Sequence, residues 1–244
     1  MKLEEIEFWE YEYLKQIYYL LQVDKQKMLK GFNTKELIKS DWEDFLGKET
    51  SDFATGSERI FYWLFNQFGE PNSSPIGSDM FFETYNAFVH IDIKTVTINN
   101  IGDFSKNIFV GDNQNSYKGK FSVKGAKSRE YSGNLPTFYT KNDKTKKICL
   151  TYFIVILYNK LNLKIESLIV TCMPNGELSD VYGDSVLSAG KNKGKIRFNY
   201  SKVKYFKLLK DKPLRTKVLI LDPENEDIAK KLTFIKEVYG QQKI

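Results

Sequence analysis

The stretch "DMFFETYNAFVHIDIKTVTI", residues 79–98, is where the chain changes from a helical to an alternating period, and its reading decides the fold. In an extended strand successive side chains face opposite sides. Val89, Ile91 and Ile93 therefore share one face, and His90, Asp92 and Lys94 share the other. The first set reads as core; the second is a row of ionisable groups on a strand that its other face buries. The preceding "DMFFETY" can pair with this strand as a hairpin. A turn centred on Tyr85 and Asn86 sets Asp79 opposite Asp92, and one centred on Asn86 and Ala87 sets Asp79 opposite Lys94. Either register keeps Asp79, Asp92 and Lys94 on one face; only an odd-length loop would separate them.

Upstream the period is helical. Ile6, Trp9, Tyr13, Ile17, Leu20 and Leu21 predict a helix from about Leu3 to Leu29. A second is predicted over 33–47, with Asn33 or Thr34 as its cap and Gly47 as its stop. A third is predicted over 55–69, where Thr55 and Glu58 have the spacing of a capping box and Gly69 ends the run. Downstream, two β-rich runs at 148–158 and 163–173 are followed by a strand at "RTKVLIL" and a last helix beginning near Pro223. Helices come first and a mostly antiparallel sheet follows. The chain reads as one domain, 1–244, with a helical part at 1–70, a sheet at 75–222 and a C-terminal helix at 223–244. Two polar segments, 99–147 and 183–210, are rich in Asn, Ser, Gly and Lys, and the first is longer than a connection in a compact domain should be.

The net charge of +6 is unevenly spread: residues 94–217 carry 24 Lys and Arg against 9 Asp and Glu, whereas residues 1–93 carry 9 against 17. A cationic half joined to an acidic one suits a polyanionic partner, nucleic acid before an anionic membrane surface. Lys118, Lys120, Lys124, Lys127 and Arg129, and then Lys191, Lys193, Lys195 and Arg197, lie among residues that suit phosphate contacts and can also read base edges. The longest apolar run, "ICLTYFIVILY", is too short to span a bilayer as a helix, and "MKLEEIEFWE" lacks the order of a signal peptide. The expectation is a cytoplasmic protein that makes no membrane contact. Cys149 and Cys172 sit singly in apolar runs, so buried free thiols are expected rather than zinc ligands.

Two carboxylates opposed across a hairpin repel unless a cation lies between them, and hard oxygen ligands suit Mg²⁺. A lysine two residues beyond the second carboxylate can hold an attacking water and offset charge on a phosphoryl oxygen. The bland alternative is a same-face ion pair of Asp92 with Lys94 on an exposed sheet. Of every lysine in the chain, only Lys94 has an acid two positions before it.

Together, "PIGSD" at 75–79, "DIK" at 92–94 and Glu58 in "GSERIFYWLF" resemble the motif of the PD-(D/E)xK nucleases, and among them the orthodox type II restriction endonucleases. The resemblance covers roughly residues 55–98. It implies an α/β fold of the α+β kind, a restriction-endonuclease-like central mixed sheet with a catalytic hairpin, flanked by N-terminal helices and a C-terminal helix. By it Asp79 and Asp92 are metal ligands together with the backbone of Ile93, Lys94 is the catalytic lysine, and Glu58 is the helix-borne acid that often joins the site. The capping box offers Glu58 another role, and His90 shares the site face with no assigned task. The expected function is Mg²⁺-dependent cleavage of double-stranded DNA at a short sequence by a homodimer. A repair or junction-resolving nuclease of the same fold and a non-catalytic DNA-binding protein are the alternatives.

Overall fold

The computed structural model describes residues 1–32, 57, 60–61, 64–65, 68, 70–71, 79–123, 128–141, 145–192 and 195–242. The helix expected over 33–47 lies outside these residues, as does most of the one expected over 55–69; helical backbone is described at 57, 60, 61 and 64. Helix α1 spans Leu3–Val23, and helical backbone resumes over 25–32 after the chain leaves helical geometry at Asp24. The single helix expected to reach Leu29 is thus interrupted. Its buried stripe contains Ile6, Tyr13, Leu14, Ile17 and Leu21, and also two acids, Glu7 and Glu10.

The main sheet is built from β1 (Glu70–Pro71), β2 (Met80–Glu83), β3 (Ala87–Thr97), β7 (Phe138–Lys141), β8 (Thr145–Tyr158), β9 (Ile165–Met173) and β12 (Thr216–Leu221). Its order is β1-β2-β3-β8-β9-β12, with β7 joined to the start of β8. Pairing is antiparallel except at the centre, where β3 and β8 run parallel from Ala87↔Ile148 to Thr97↔Tyr158. Parallel neighbours need a long crossover connection. Residues 98–144 supply it, which is why the polar segment is so long. It is also not a bare loop: it carries β4 (Ile108–Val110), β5 (Lys118–Phe121), β6 (Arg129–Ser132) and β7. The second polar segment likewise contains β10 (Leu187–Ala189) and β11 (Ile196–Phe198), which join β4 in a small sheet of order β10-β11-β4.

These excursions cover the second face of the main sheet. On one face Tyr152 Oη reaches α1 by donating to the Glu10 carbonyl at 2.9 Å. On the other, Phe153 meets Phe198 of β11 with ring centroids 6.5 Å apart. Burial on both sides accounts for the near-continuous apolar run of β8, as parallel strands require. It also corrects the simple inside-outside reading of β3: His90 and Asp92 are as buried as Val89 and Ile91. The C-terminal helix begins at Glu226 rather than near Pro223 because Asn225 is its cap, accepting from the Asp227 and Ile228 amides. It ends at Lys231, and a second helix, Thr233–Gln242, follows and packs beside β12.

Candidate active site

The hairpin settles between the two registers. Met80↔Ile91 through Glu83↔Phe88 centre the turn on Tyr85 and Asn86, and continuing that ladder places Asp79 opposite Asp92. Contacts from outside the hairpin hold this turn. Thr84 Oγ1 bonds the Ala87 amide and carbonyl at 3.1 and 3.0 Å, and Tyr13 Oη of α1 lies 2.6 Å from both Thr84 Oγ1 and Asn86 Oδ1. From β8, Lys147 Nζ donates to Glu83 Oε1 at 2.8 Å and to the Thr84 carbonyl at 2.6 Å. A slip of one residue would break all of these and turn every β2 side chain to the wrong face.

At the open end of the hairpin three expected site residues come together. Asp79 Oδ2 accepts from the Ile93 amide at 2.6 Å, at the point where the β2–β3 ladder ends. That amide lies between Asp92 and Lys94. The Asp92 side chain is 1% exposed and pairs with the Lys94 ammonium, which is 18% exposed. The pair is therefore sunk in the fold, unlike an ion pair on an exposed sheet. Gln114 touches both members: its Nε2 donates to Asp92 Oδ2, and its Oε1 accepts from Lys94 Nζ at 3.0 Å. Phe109 of β4 completes this side, its ring centroid 5.8 Å from Lys94 Nζ. Sequence reasoning missed Gln114, which stands in the Asn-rich "GDNQNS" with no periodicity to mark it.

His90 lies on the same face of β3, wholly buried, against Phe81 at 6.4 Å between ring centroids. Neither ring nitrogen reaches a partner on another described residue. Burial, with the Lys94 charge adding to it, pushes the imidazole down to about 3, so His90 is uncharged at neutral pH. Glu58 lies outside the described residues. Among the described residues no three His, Cys, Asp or Glu side chains gather as a ready-made metal cage. Cys149 and Cys172 are free and buried, and burial pushes the Cys149 thiol up to about 12.

The expected basic residues that are described lie on the two polar segments. Lys118, Lys120 and Arg129 lie on the β5–β6 hairpin, where Lys118 and Lys120 line a shallow concavity with Tyr131 and Asp184. Lys191 pairs with Asp103 at 3.0 Å and Lys195 with Asp112 at 3.2 Å, both remaining largely exposed. Arg197 differs: it is buried on β11 and tied to Asp103 at 3.1 Å and to Asn107. Lys124, Lys127 and Lys193 lie outside the described residues.

A family model described as type II restriction enzyme MwoI, N-terminal domain, matches residues 2–162, and one described as MwoI, central domain, matches 165–221. The seam between them falls in the turn joining β8 to β9, strands that pair from Thr151↔Met173 to Tyr158↔Ile165, so both stretches share one sheet. Among solved structures the chain is similar to the restriction endonuclease BglI bound to its DNA recognition sequence. The TM-score is 0.67 at 14% identity, covering 91% of this chain and 92% of that one. It is also similar to the tetrameric restriction endonuclease SfiI bound to cognate DNA, with a TM-score of 0.65 at 15% identity, covering 93% and 88%. At such identities the likeness is one of fold: a mixed sheet flanked by helices, as in those restriction endonucleases. No curated protein matches the chain. Among the described residues, no helix is long and apolar enough to cross a membrane.

Proposed function

The chain belongs to the MwoI type II restriction enzymes, and from that premise we propose that it cuts double-stranded DNA by Mg²⁺-dependent hydrolysis of phosphodiester bonds at a short specific sequence. One observation carries the chemistry: a buried Asp92–Lys94 pair on a hairpin whose other strand fixes Asp79 on the intervening amide. Asp79 and Asp92, with the Ile93 backbone carbonyl, would hold the metal. These are hard oxygen donors, few enough to suit an ion that keeps several waters and takes a substrate phosphate. When bound, the cation lowers the pKa of a water and stabilises charge on the phosphoryl oxygens. Lys94 orients the attacking water and offsets charge developing on the phosphate. To Glu58 we assign the part that the resemblance implies, a helix-borne acid that joins the catalytic residues. His90, buried and neutral, lines the site and is given no step in this reading.

The test is digestion of a plasmid of known sequence with Mg²⁺, followed by sequencing of the ends. Discrete fragments that vanish with a chelator are expected; intact plasmid, or ends at random positions, would refute the reading.

We assign this activity to a single nuclease domain, 1–244, in the cytoplasm. The protein acts as a homodimer, because a two-fold site in duplex DNA is matched by two copies each cutting one strand. Light scattering that finds one copy on the target duplex would overturn that. The duplex is taken to lie along the basic elements, with Lys118, Lys120, Lys124, Lys127, Arg129, Lys191, Lys193 and Lys195 contacting phosphate or base edges, and Arg197 acting through the shape of β11. Replacing Lys118, Lys120 and Arg129 singly by Ala is expected to weaken binding of any duplex. Each variant that no longer reaches its phosphate should show a slope of log affinity against log salt shallower by about one, measured by fluorescence anisotropy.

A further inference from the structure

We propose that Gln114 is a positioning residue for cleavage, holding Asp92 and Lys94 in the arrangement that the reaction uses; this rests on the assignment of those two residues above. Gln114 is not on the hairpin at all. It ends a short 3₁₀ turn, Asp112–Gln114, on the crossover between β3 and β8. Its amide is used at both ends: Nε2 donates to Asp92 Oδ2, while Oε1 accepts from Lys94 Nζ at 3.0 Å and from the Gly111 amide at 2.8 Å. These partners admit one orientation. Turning the amide over would set its oxygen against a carboxylate and its NH₂ against an ammonium and an N–H.

The turn that carries it is itself tied down. Asn134 N donates to the Asp112 carbonyl at 2.7 Å, and the buried Asn115 donates to the Gly111 carbonyl at 3.2 Å and to Tyr131 Oη of β6 at 2.8 Å. Gly111 lets the amide approach the backbone, since a Cβ there would lie 3.2 Å from both Cδ and Oε1 of Gln114. The arrangement addresses a specific difficulty. A flexible lysine two residues from an aspartate can pair with its carboxylate in several geometries, not all of which leave the carboxylate open to a cation. Gln114 gives the ammonium a second acceptor beside Asp92 and fixes the carboxylate by one oxygen. A carboxylate oxygen has two lone pairs, so the amide leaves room for a metal. It stands to the metal ligand as outer-sphere partners do, whose loss typically costs about 10- to 100-fold in metal affinity or activity.

Gln114→Met keeps the length of the side chain and removes both hydrogen-bonding functions. With the plasmid fragment that carries a mapped cut site, three quantities would be measured. They are the single-turnover cleavage rate, the Mg²⁺ concentration giving half the maximal rate, and the affinity for the fragment with Ca²⁺ in place of Mg²⁺. The expected result is a rate lower by about 100-fold, a half-saturating Mg²⁺ concentration higher by about tenfold and affinity for the fragment within about twofold of wild type. A rate within about threefold of wild type at the same Mg²⁺ overturns the proposal. So does a slower rate with unchanged Mg²⁺ dependence, or one that falls in step with DNA affinity, since either marks a structural or DNA-contacting residue. Should Gln114→Met fail to fold, Gln114→Glu is read by the same criteria; it keeps the acceptor for Lys94 and Gly111 and sets a charged carboxylate oxygen against Asp92 in place of the donor. Wild-type protein that never cuts refutes the nuclease reading and this proposal with it; wild type that cuts no better than the variants refutes the role of Gln114 alone.

Discussion

Lys94→Ala is expected to cut target DNA about 10³-fold more slowly than wild type, a loss of about 4 kcal/mol of transition-state stabilisation, while binding the same DNA undiminished. The reasoning is local. Lys94 reaches solvent at 18% exposure and is held by Asp92 and Gln114, so removing it leaves those two hydrogen-bonded to each other and the fold intact. Asp92→Ala should lose at least as much, because it removes a proposed metal ligand and the partner that positions the lysine. The two variants separate on metal: raising Mg²⁺ should leave Lys94→Ala unchanged and restore part of the lost rate to Asp92→Ala. Single-turnover rates on the mapped fragment decide it. Two variants that cut as well as wild type would show that the row of ionisable groups on β3 is not the site of the chemistry.

The second large effect is on stability. Arg215 is wholly buried beneath α1, with Glu7 at 3.3 Å and Glu10 at 2.7 Å. Its guanidinium lies 4.1 Å from the Phe206 ring centroid and 4.6 Å from that of Tyr182, and its Nε donates to Tyr182 Oη at 2.9 Å. The carboxylates have further donors in the Asn175, Lys207 and Leu208 amides at 2.6, 3.1 and 2.7 Å. Removing this cation leaves two buried acids without their ion pair, and Arg215→Ala is expected to cost about 3–5 kcal/mol in urea unfolding.

The loss should depend on pH with a definite sign. Burial holds the Glu10 carboxyl up at about 6 even with Arg215 beside it. A carboxyl held above its unfolded value favours the folded state below about pH 4.5, and that contribution is lost as pH rises through about 6. Without Arg215 the shift grows, so the variant should be least stable relative to wild type near pH 8 and recover part of the difference near pH 5. A deficit that is constant from pH 5 to pH 8 would contradict this account. Replacing Glu7 and Glu10 by Gln and Arg215 by Met together should cost much less than Arg215→Ala alone.

What could be read from the sequence follows from how far each rule reaches along the chain. The period-2 rule operates over a few residues, so the shared face of Asp92 and Lys94 and the approach of Asp79 were legible in "DMFFETYNAFVHIDIKTVTI". The choice between two registers was not, because it depends on Tyr13 and Lys147, which come from elements distant in sequence. Gln114 was invisible for the same reason. Its contact with Asp92 depends on the path of the crossover, and that path is set by the parallel pairing of β3 with β8, which no local pattern announces. Arg215 read as one more cation in a basic half, although it meets acids from the other end of the chain. Arg197 shows the limit of charge counting, since a basic residue in a polar segment proved to be a buried strut between Asp103 and Asn107. The roles of Glu58, Lys124, Lys127 and Lys193 stay with sequence reasoning alone.

The parallel β3–β8 pairing has a kinetic consequence. The two central strands cannot meet until the whole excursion of residues 98–144 has closed on itself, which costs on the order of 3 kcal/mol of chain entropy before any contact compensates. Such non-local pairings place a domain among the slow folders. Gln114 travels on that same excursion, so it joins Asp92 and Lys94 only as the crossover takes its native path. A newly made chain would thus pass through its early compact stages with the proposed cutting residues present but unaligned. Gain of cleavage activity during refolding should accordingly lag behind gain of β-structure.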